Sequence, residues 1–183
     1  MTQYRLPKTS DITLRRVGEA DLPVLREHRN LVSTRLWLEN TELISLEQQA
    51  IWYRDGGAEG FRIIEVEGQA MGLGRLDFAG NSEISVGLDV FEAFRGKGLG
   101  FPFFAQVCHE AEAVCSGAQG FSQFSRLSQL SLWVFRENQR AVSIYRRAGF
   151  VEDRHTPVRY LTRTSLLDGH SAINAYIKMV RQL

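Results

Sequence analysis

The chain has 183 residues, enough for one domain with a sizeable core. Its 44% hydrophobic and 23% charged content is that of a soluble globular protein, and no apolar run reaches the length of a membrane span. Lys and Arg total 22 against 21 Asp and Glu, so a net charge of +1 offers no electrostatic footprint for nucleic acid.

Residues 1–10 read as a loose lead-in without the apolar core of a signal peptide. Ile12 to Val17 alternates as a first strand. A helix follows from Ala20 to Asn30, with Asp21 as its cap and Pro23 in its first turn. Ser45-Leu46-Glu47-Gln48 fits a capping box, which predicts a second helix from Ser45 through Trp52 and Tyr53 to a stop at Gly56-Gly57. Phe61 to Val66 and Ala70 to Asp77 form a hairpin around Glu67-Gly68, and Asn81-Ser82 makes the next turn.

The stretch from Ile84 to Gly100 organises the rest. Ile84, Val86, Leu88 and Val90 alternate as a strand with one buried face. Beyond it Leu99, Phe103, Val107, Ala111 and Val114 recur at the spacing of one helix face, and Pro102 fits the first turn. Between them Gly96, Gly98 and Gly100 alternate with Lys97 and Leu99, directly after Arg95. Glycines let the backbone approach a bulky anion, and a helix start supplies unpaired N–H donors and partial positive charge. The turn therefore suits a phosphate or pyrophosphate ligand. The same residues also suit a plain glycine-rich turn capping a helix.

The spacing excludes two phosphate-binding patterns. A P-loop fails because Phe91 stands where its first glycine would be and Gly98 follows Lys97. The dinucleotide fingerprint fails because Phe101 and Phe103 occupy the third-glycine positions.

After the central helix, Ser116 to Ser128 reads as a long exposed loop, and Leu130 to Phe135 as the next strand. Asn138 opens a short helix with Ala141, Val142, Tyr145 and Ala148 on one face, stopped by Gly149 with Phe150 packing back. Two strands close the chain, around Val158 to Arg163 and Ala172 to Val180. The pattern predicts an α/β fold with a mixed sheet, residues 1–183 forming a single domain. Cys108 and Cys115 lie near one helix face but roughly 10 Å apart along its axis, which suits reduced thiols and a cytoplasmic protein.

Arg95-x-x-Gly98-x-Gly100 after a strand resembles the coenzyme A pyrophosphate motif of the GNAT family of acyl-CoA-dependent N-acyltransferases. Asn138-x-x-Ala141-x-x-x-Tyr145-x-x-x-Gly149-Phe150 is similar to that family's second signature, in the order the family has it. The likeness runs from about Ile12 to Val180. Leu14-Arg15, Asp21-Leu22, Arg29-Asn30, Arg35, Trp37 and the Trp52 helix most resemble the RimJ/RimL-like branch, with similar features in enzymes that acetylate nucleotide-linked amino sugars. The resemblance implies a GNAT-type, mostly antiparallel central sheet flanked by helices. It also implies an N-acetyltransferase that uses acetyl-CoA and no metal.

By that resemblance, the backbone of Leu88, Asp89 and Val90 lines the pantetheine arm. Arg95, Gly96, Lys97, Gly98, Leu99, Gly100 and Phe101 hold the pyrophosphate, and Asn138 bonds the arm from the other side. Tyr145 is the expected acid towards the departing thiolate, and Glu83 the expected base, with a solvated turn carboxylate as its other reading and Asp89 as the alternative base. Arg29, Asn30 and Trp37 are expected in the acceptor cleft.

Two departures from the family pattern stand out. Trp133 occupies a position where some peptide N-terminus acetyltransferases carry a glutamate base, and Phe101-Pro102 replaces the small or hydroxylated residues common after the last motif glycine. His28, His109, His155 and His170 form no metal-ligand pattern, and no Gly-x-Ser-x-Gly elbow points to a hydrolase.

The expected acceptor is a protein N-terminal or side-chain amine, or the amine of a nucleotide-linked amino sugar for which Arg29, Arg35, Arg54 and Arg75 are available cations. A non-catalytic acyl-CoA sensor is the reading from another class. No membrane or nucleic-acid partner is expected, and the chain would be a monomer or homodimer.

Overall fold

A computed structural model describes residues 6–78, 83–115, 127–164 and 166–183, without the side chains of Phe78 and Cys115. The expected turn at Asn81-Ser82 and most of the expected loop from Ser116 to Ser128 lie outside the described residues.

Eight strands join in one sheet: β1 (Ile12–Arg16), β2 (Phe61–Val66), β3 (Gln69–Phe78), β4 (Glu83–Val90), β5 (Gln129–Phe135), β6 (Val151–Glu152), β7 (Arg159–Thr164) and β8 (Ser171–Gln182). Their order is β1-β2-β3-β4-β5-β8-β6, with β7 also paired to β8. Every pairing is antiparallel except β4 with β5, which is parallel. The helices are α1 (Leu22–Asn30), α2 (Val32–Arg35), α3 (Leu46–Arg54), α4 (Gly100–Cys115) and α5 (Gln139–Arg147). Among the described residues, no helix is long and apolar enough to cross a membrane.

Adjacent residues on β2 show how the sheet divides its faces. Ile64 is buried in a core with Leu99, Phe103, Phe104, Val107 and Ala111 of the α4 segment. Its neighbour Ile63 is buried on the other side with Leu25 of α1, Phe91 and the Trp52 ring of α3. Period-two alternation against two helical layers produces this division. On β4, Ile84 and Val86 are fully buried, while Leu88 and Val90 pack at the margin of the α4 core.

Local signals explain most boundaries. Ser45 caps α3 by accepting from the Gln48 N–H at 3.1 Å, and Gln48 Oε1 accepts the Ser45 N–H at 2.8 Å. The β2–β3 turn places both Glu67 and Gly68 at positive φ, which suits a two-residue hairpin connection. Gly149 has φ 89 at the end of α5, and Phe150 behind it is buried.

Asp21 departs from the sequence expectation. It makes no side-chain cap to α1; instead it accepts the Gly18 N–H at 2.8 Å and pairs with Arg15 at 2.7 Å. That closes a 3₁₀ turn over Glu19–Asp21 ahead of the helix. The Arg15 guanidinium holds the Asp21 carboxyl below the usual carboxylate range. Helix α3 ends at Arg54, short of the glycines, and the short elements α2 and β6 carried no periodic signal.

The α4 layer sits very close to β3. A Cβ on Gly74 would lie 2.7 Å from Val107 Cγ2, and valine has little rotamer freedom to move aside. Gly74→Ala is expected to lower the unfolding free energy by about 1–3 kcal/mol in urea melts, with a less-than-additive loss when combined with Val107→Ala. Burial pushes the Cys108 thiol up to about 12. At pH 8 only about one molecule in ten thousand then carries the thiolate, so peptide mapping after iodoacetamide treatment should find Cys108 modified only in denaturant.

Candidate functional site

The parallel pairing of β4 with β5 covers only Glu83–Ser85 against Gln129–Ser131. Past Ser85 and Ser131 the strands part company. β4 continues on β3 as far as Val90, and β5 continues on β8 as far as Phe135. Between them the sheet opens into a cleft in which the backbone of Val86 to Val90 is paired on one side only. Unpaired backbone groups of this kind need a ligand or water.

Two helix starts flank the mouth of the cleft, because α4 follows β4 and α5 follows β5. The start of α4 lies against the second half of α5. A Cβ on Gly100 would fall 2.5 Å from Ile144 Cδ1, so any larger residue there requires the Ile144 side chain to shift. The Phe104 and Tyr145 rings are 4.7 Å apart, and the Arg147 guanidinium stands 3.8 Å over the Phe101 ring.

In the turn before α4, Gly96 and Gly98 adopt φ 78 and 79, and a Cβ on Gly96 would meet open space. The N–H groups of Gly96, Gly98, Leu99 and Gly100 donate to no backbone carbonyl among the described residues. The turn thus presents a run of donors at a helix start, a geometry that takes an anion. Lys97 stands 5.0 Å from the centre of the Phe94 ring in the same turn. Leu6 of the lead-in lies against Gly98.

The Arg95 guanidinium is committed elsewhere. Its Nε donates to the Val90 carbonyl at 2.8 Å. Its two terminal nitrogens donate to Ser33 Oγ at 3.0 Å, Thr34 Oγ1 at 2.8 Å and Asp89 Oδ1 at 3.1 Å. Asp89 also holds His28 Nε2 at 2.9 Å. These contacts pin α1 and α2 to the end of β4, so what Arg95's segment offers an anion is its backbone. No sequence pattern marks His28 or Thr34 here, because each lies more than fifty positions from its partner and only the fold joins them.

The other expected residues divide between the two ends of the cleft. Asn138 caps α5 by accepting the Ala141 N–H at 3.2 Å, which leaves its amide nitrogen available at the mouth. Burial raises the Tyr145 pKa above the usual phenol value, and the Asp89 charge raises it further. The hydroxyl therefore stays protonated throughout the neutral range. Glu83 sits at the closed end, where Lys178 Nζ reaches its oxygens at 2.8 and 3.1 Å and Gln129 Nε2 donates at 2.8 Å.

On the face opposite α4, α1 and α2 form one wall. Asn30 engages the Ile44 backbone with both ends of its amide, and Arg29 donates to the carbonyls of Asn40 and Glu42. Trp37 is exposed. Trp133 stacks on Tyr176 with centroids 5.3 Å apart, and Arg159, paired with Glu39, lies over both rings. Arg75 pairs with Asp77 and lies across Gly87, whereas Arg54 is exposed to solvent beside Asp55. Among the described residues, no three His, Cys, Asp or Glu side chains could hold a metal ion.

No family model matches the chain, and no curated protein matches it. Solved structures do. A spermidine N-acetyltransferase from Vibrio cholerae, in complex with CoA and spermine, matches with TM-score 0.70 and 18% identity, over 94% of this chain and 96% of that one. A ribosomal-protein-alanine N-acetyltransferase from Brucella melitensis matches with TM-score 0.66 and 23% identity, over 93% and 99%. An acetyltransferase of the GNAT family from Streptococcus pneumoniae matches with TM-score 0.61 and 16% identity, over 94% and 99%. The chain therefore has the GNAT fold, a mostly antiparallel central sheet flanked by helices, along nearly its whole length.

Removing the Arg95 side chain should loosen the α1–α2 wall as well as the turn. Arg95→Ala is expected to cost about 1.5–3 kcal/mol in a denaturant melt, a scale set by hydrogen bonds to a charged group. A melt unchanged within error would mean that these contacts do not hold the wall.

Proposed function

We propose that the protein is an N-acetyltransferase that moves an acetyl group from acetyl-CoA to a primary amine by direct attack in a ternary complex. The observation that carries this reading is the cleft between β4 and β5, with the donor-rich Gly96–Gly100 turn on one side of its mouth and Asn138 and Tyr145 on the other. The fold-level neighbours include proteins described as acetyltransferases of spermidine and of a ribosomal-protein alanine. Those acceptors differ from each other, so the fold supports the reaction class without selecting the amine.

In this reading Gly96, Lys97, Gly98, Leu99, Gly100 and Phe101 receive the diphosphate of the acyl donor. The one-sided backbone of Leu88, Asp89 and Val90 pairs with the pantetheine amides, and the Asn138 amide bonds the arm from the facing strand. A simple aliphatic amine with pKa of about 10 arrives mostly protonated. It must lose that proton before attack and a second one as the C–N bond forms. Glu83 accepts the proton through water, since Lys178 and Gln129 already bond both its oxygens.

The amine nitrogen attacks the thioester carbonyl carbon, and unpaired N–H groups on the β4 side of the cleft steady the oxyanion. When the C–S bond breaks, the Tyr145 hydroxyl protonates the sulfur, and solvent restores the phenol. The balance is one ammonium and one thioester to one amide, one thiol and one proton.

Tyr145→Phe should lower kcat by about 10²–10⁴-fold and leave acetyl-CoA affinity intact. Rates come from thiol release and affinity from titration calorimetry. Full turnover in this variant would remove Tyr145 from the acid role. Glu83→Gln should lower kcat on a comparable scale, and a rate that survives would move the base to Asp89.

A further inference from the structure

Where β4 and β5 part, the face opposite α4 carries an aromatic wall. Leu132 and Val134 of β5 are buried in the α4 core, so the alternating Trp133 stands on the opposite face. Gly87 stands on that face of β4, since its neighbour Val86 is buried in the same core. Extending the parallel register of Ser85 with Ser131 sets Trp133 beside Gly87, across the opening. Gly87 brings no side chain there, and Arg75 Nε lies 3.4 Å from where its Cβ would stand. The gap is thus bounded by Trp133 on one side and Arg75 on the other.

Trp133 is half-buried. Its ring stacks on Tyr176 with centroids 5.3 Å apart and 25° between planes, and the Arg159 guanidinium lies 5.4 Å from its centre. Both partners come from β8 and β7, on the side of β5 away from β4. The exposed part of the indole therefore looks into the gap. Tyr176 is backed in turn by Phe135 at 4.7 Å, so the wall is braced from behind.

The charges that border the gap are paired. Arg75 faces Asp77 at 3.2 Å, Lys178 holds Glu83 at 2.8 Å, and Arg159 is bound by Glu39. Further along β4, Asp89 is held by Arg95 and His28. A phosphate or a second ammonium entering here would lose hydration without gaining a free counter-charge. An uncharged ring meets no such cost and gains a ring partner. The gap also borders the reaction centre, since the Arg75 charge acts on the hydroxyls of both Tyr145 and Tyr176.

We propose that Trp133 is the acceptor-binding platform of this cleft, and that the acceptor is a small primary amine whose body is an uncharged aromatic ring. The indole takes the ring face to face, while the amine end reaches the thioester beside Tyr145. Trp133 sets specificity and takes no part in proton transfer. The inference rests on the transferase reading of the same cleft.

The test follows thiol release from acetyl-CoA with five amines: phenethylamine, its saturated counterpart cyclohexylethylamine, spermidine, glucosamine 6-phosphate and a short alanine peptide. Phenethylamine should exceed cyclohexylethylamine by about three- to tenfold in kcat/KM, the scale of a ring pair beyond its buried area. It should exceed the other three by at least as much. Trp133→Leu should remove the preference by raising KM at little cost in kcat, and Trp133→Phe should keep part of it. In parallel, calorimetry measures phenethylamine binding with coenzyme A saturating, which reads the platform without turnover.

Preference for spermidine, glucosamine 6-phosphate or the peptide overturns the proposal and leaves the transferase reading standing. So does equal turnover of the aromatic and saturated amines, or a preference that Trp133→Leu leaves unchanged. Phenethylamine binding that depends on Trp133, without thiol release on any of the five amines, keeps the platform and counts against the transferase reading. Absence of phenethylamine binding overturns the proposal. Should Trp133→Leu fail to fold, inhibition of the unaltered protein decides the question. Phenethyl alcohol should then compete with the acceptor more tightly than cyclohexylethanol, and equal inhibition by the two overturns the proposal.

Discussion

The structure depends on one local failure of pairing. Three residue pairs hold β4 to β5, and then the parallel ladder stops while each strand stays bound to its outer neighbour. A sheet cannot leave a strand half-paired at its centre without supplying something for the backbone to bond. The rest of the chain is arranged around that opening. Each of the parting strands feeds a helix whose start lies at the mouth, and Gly100 lets the two helices meet.

A second constraint keeps the opening shaped. The Arg95 side chain leaves the glycine-rich turn and ties the end of β4 to His28, Ser33 and Thr34. The α1–α2 wall is thus fastened to the turn that would hold the donor. In the proposed reaction, the turn that receives the donor and the wall that faces the acceptor are joined through one guanidinium, a direct physical route by which one substrate tightens the site for the other. Asn30 continues the same work further out by fixing the backbone at Ile44.

Much of the fold was legible because it is written in local chemistry. The capping box at Ser45, the Glu67-Gly68 turn, the helix face from Leu99 to Val114 and the Gly149 stop each depend on residues within a few positions of one another. Both glycine-rich and Asn138 signatures fell where the strands require them. What escaped the sequence is what the sheet brings together across distance. Lys178 reaches Glu83 only because β8 lies beside β5, and no spacing announces it. The same holds for His28 with Asp89, and for Arg163 beside Arg35. Asp21 was misread for a related reason, since Arg15 competes for its carboxylate and wins with a charge-assisted bond. Arg54 looked equivalent to Arg29 and Arg35 in the sequence, yet it lies beside Asp55 in solvent.

The central claim is that the opening between β4 and β5 is built for an acyl-CoA. Titration calorimetry of acetyl-CoA into the protein tests it most directly. The account predicts saturable binding of one molecule per chain, displaced by coenzyme A and weakened at least tenfold when valine replaces Gly98, whose φ of 79 a β-branched residue cannot adopt without strain. Absence of binding, or binding that Gly98→Val leaves untouched, would contradict it.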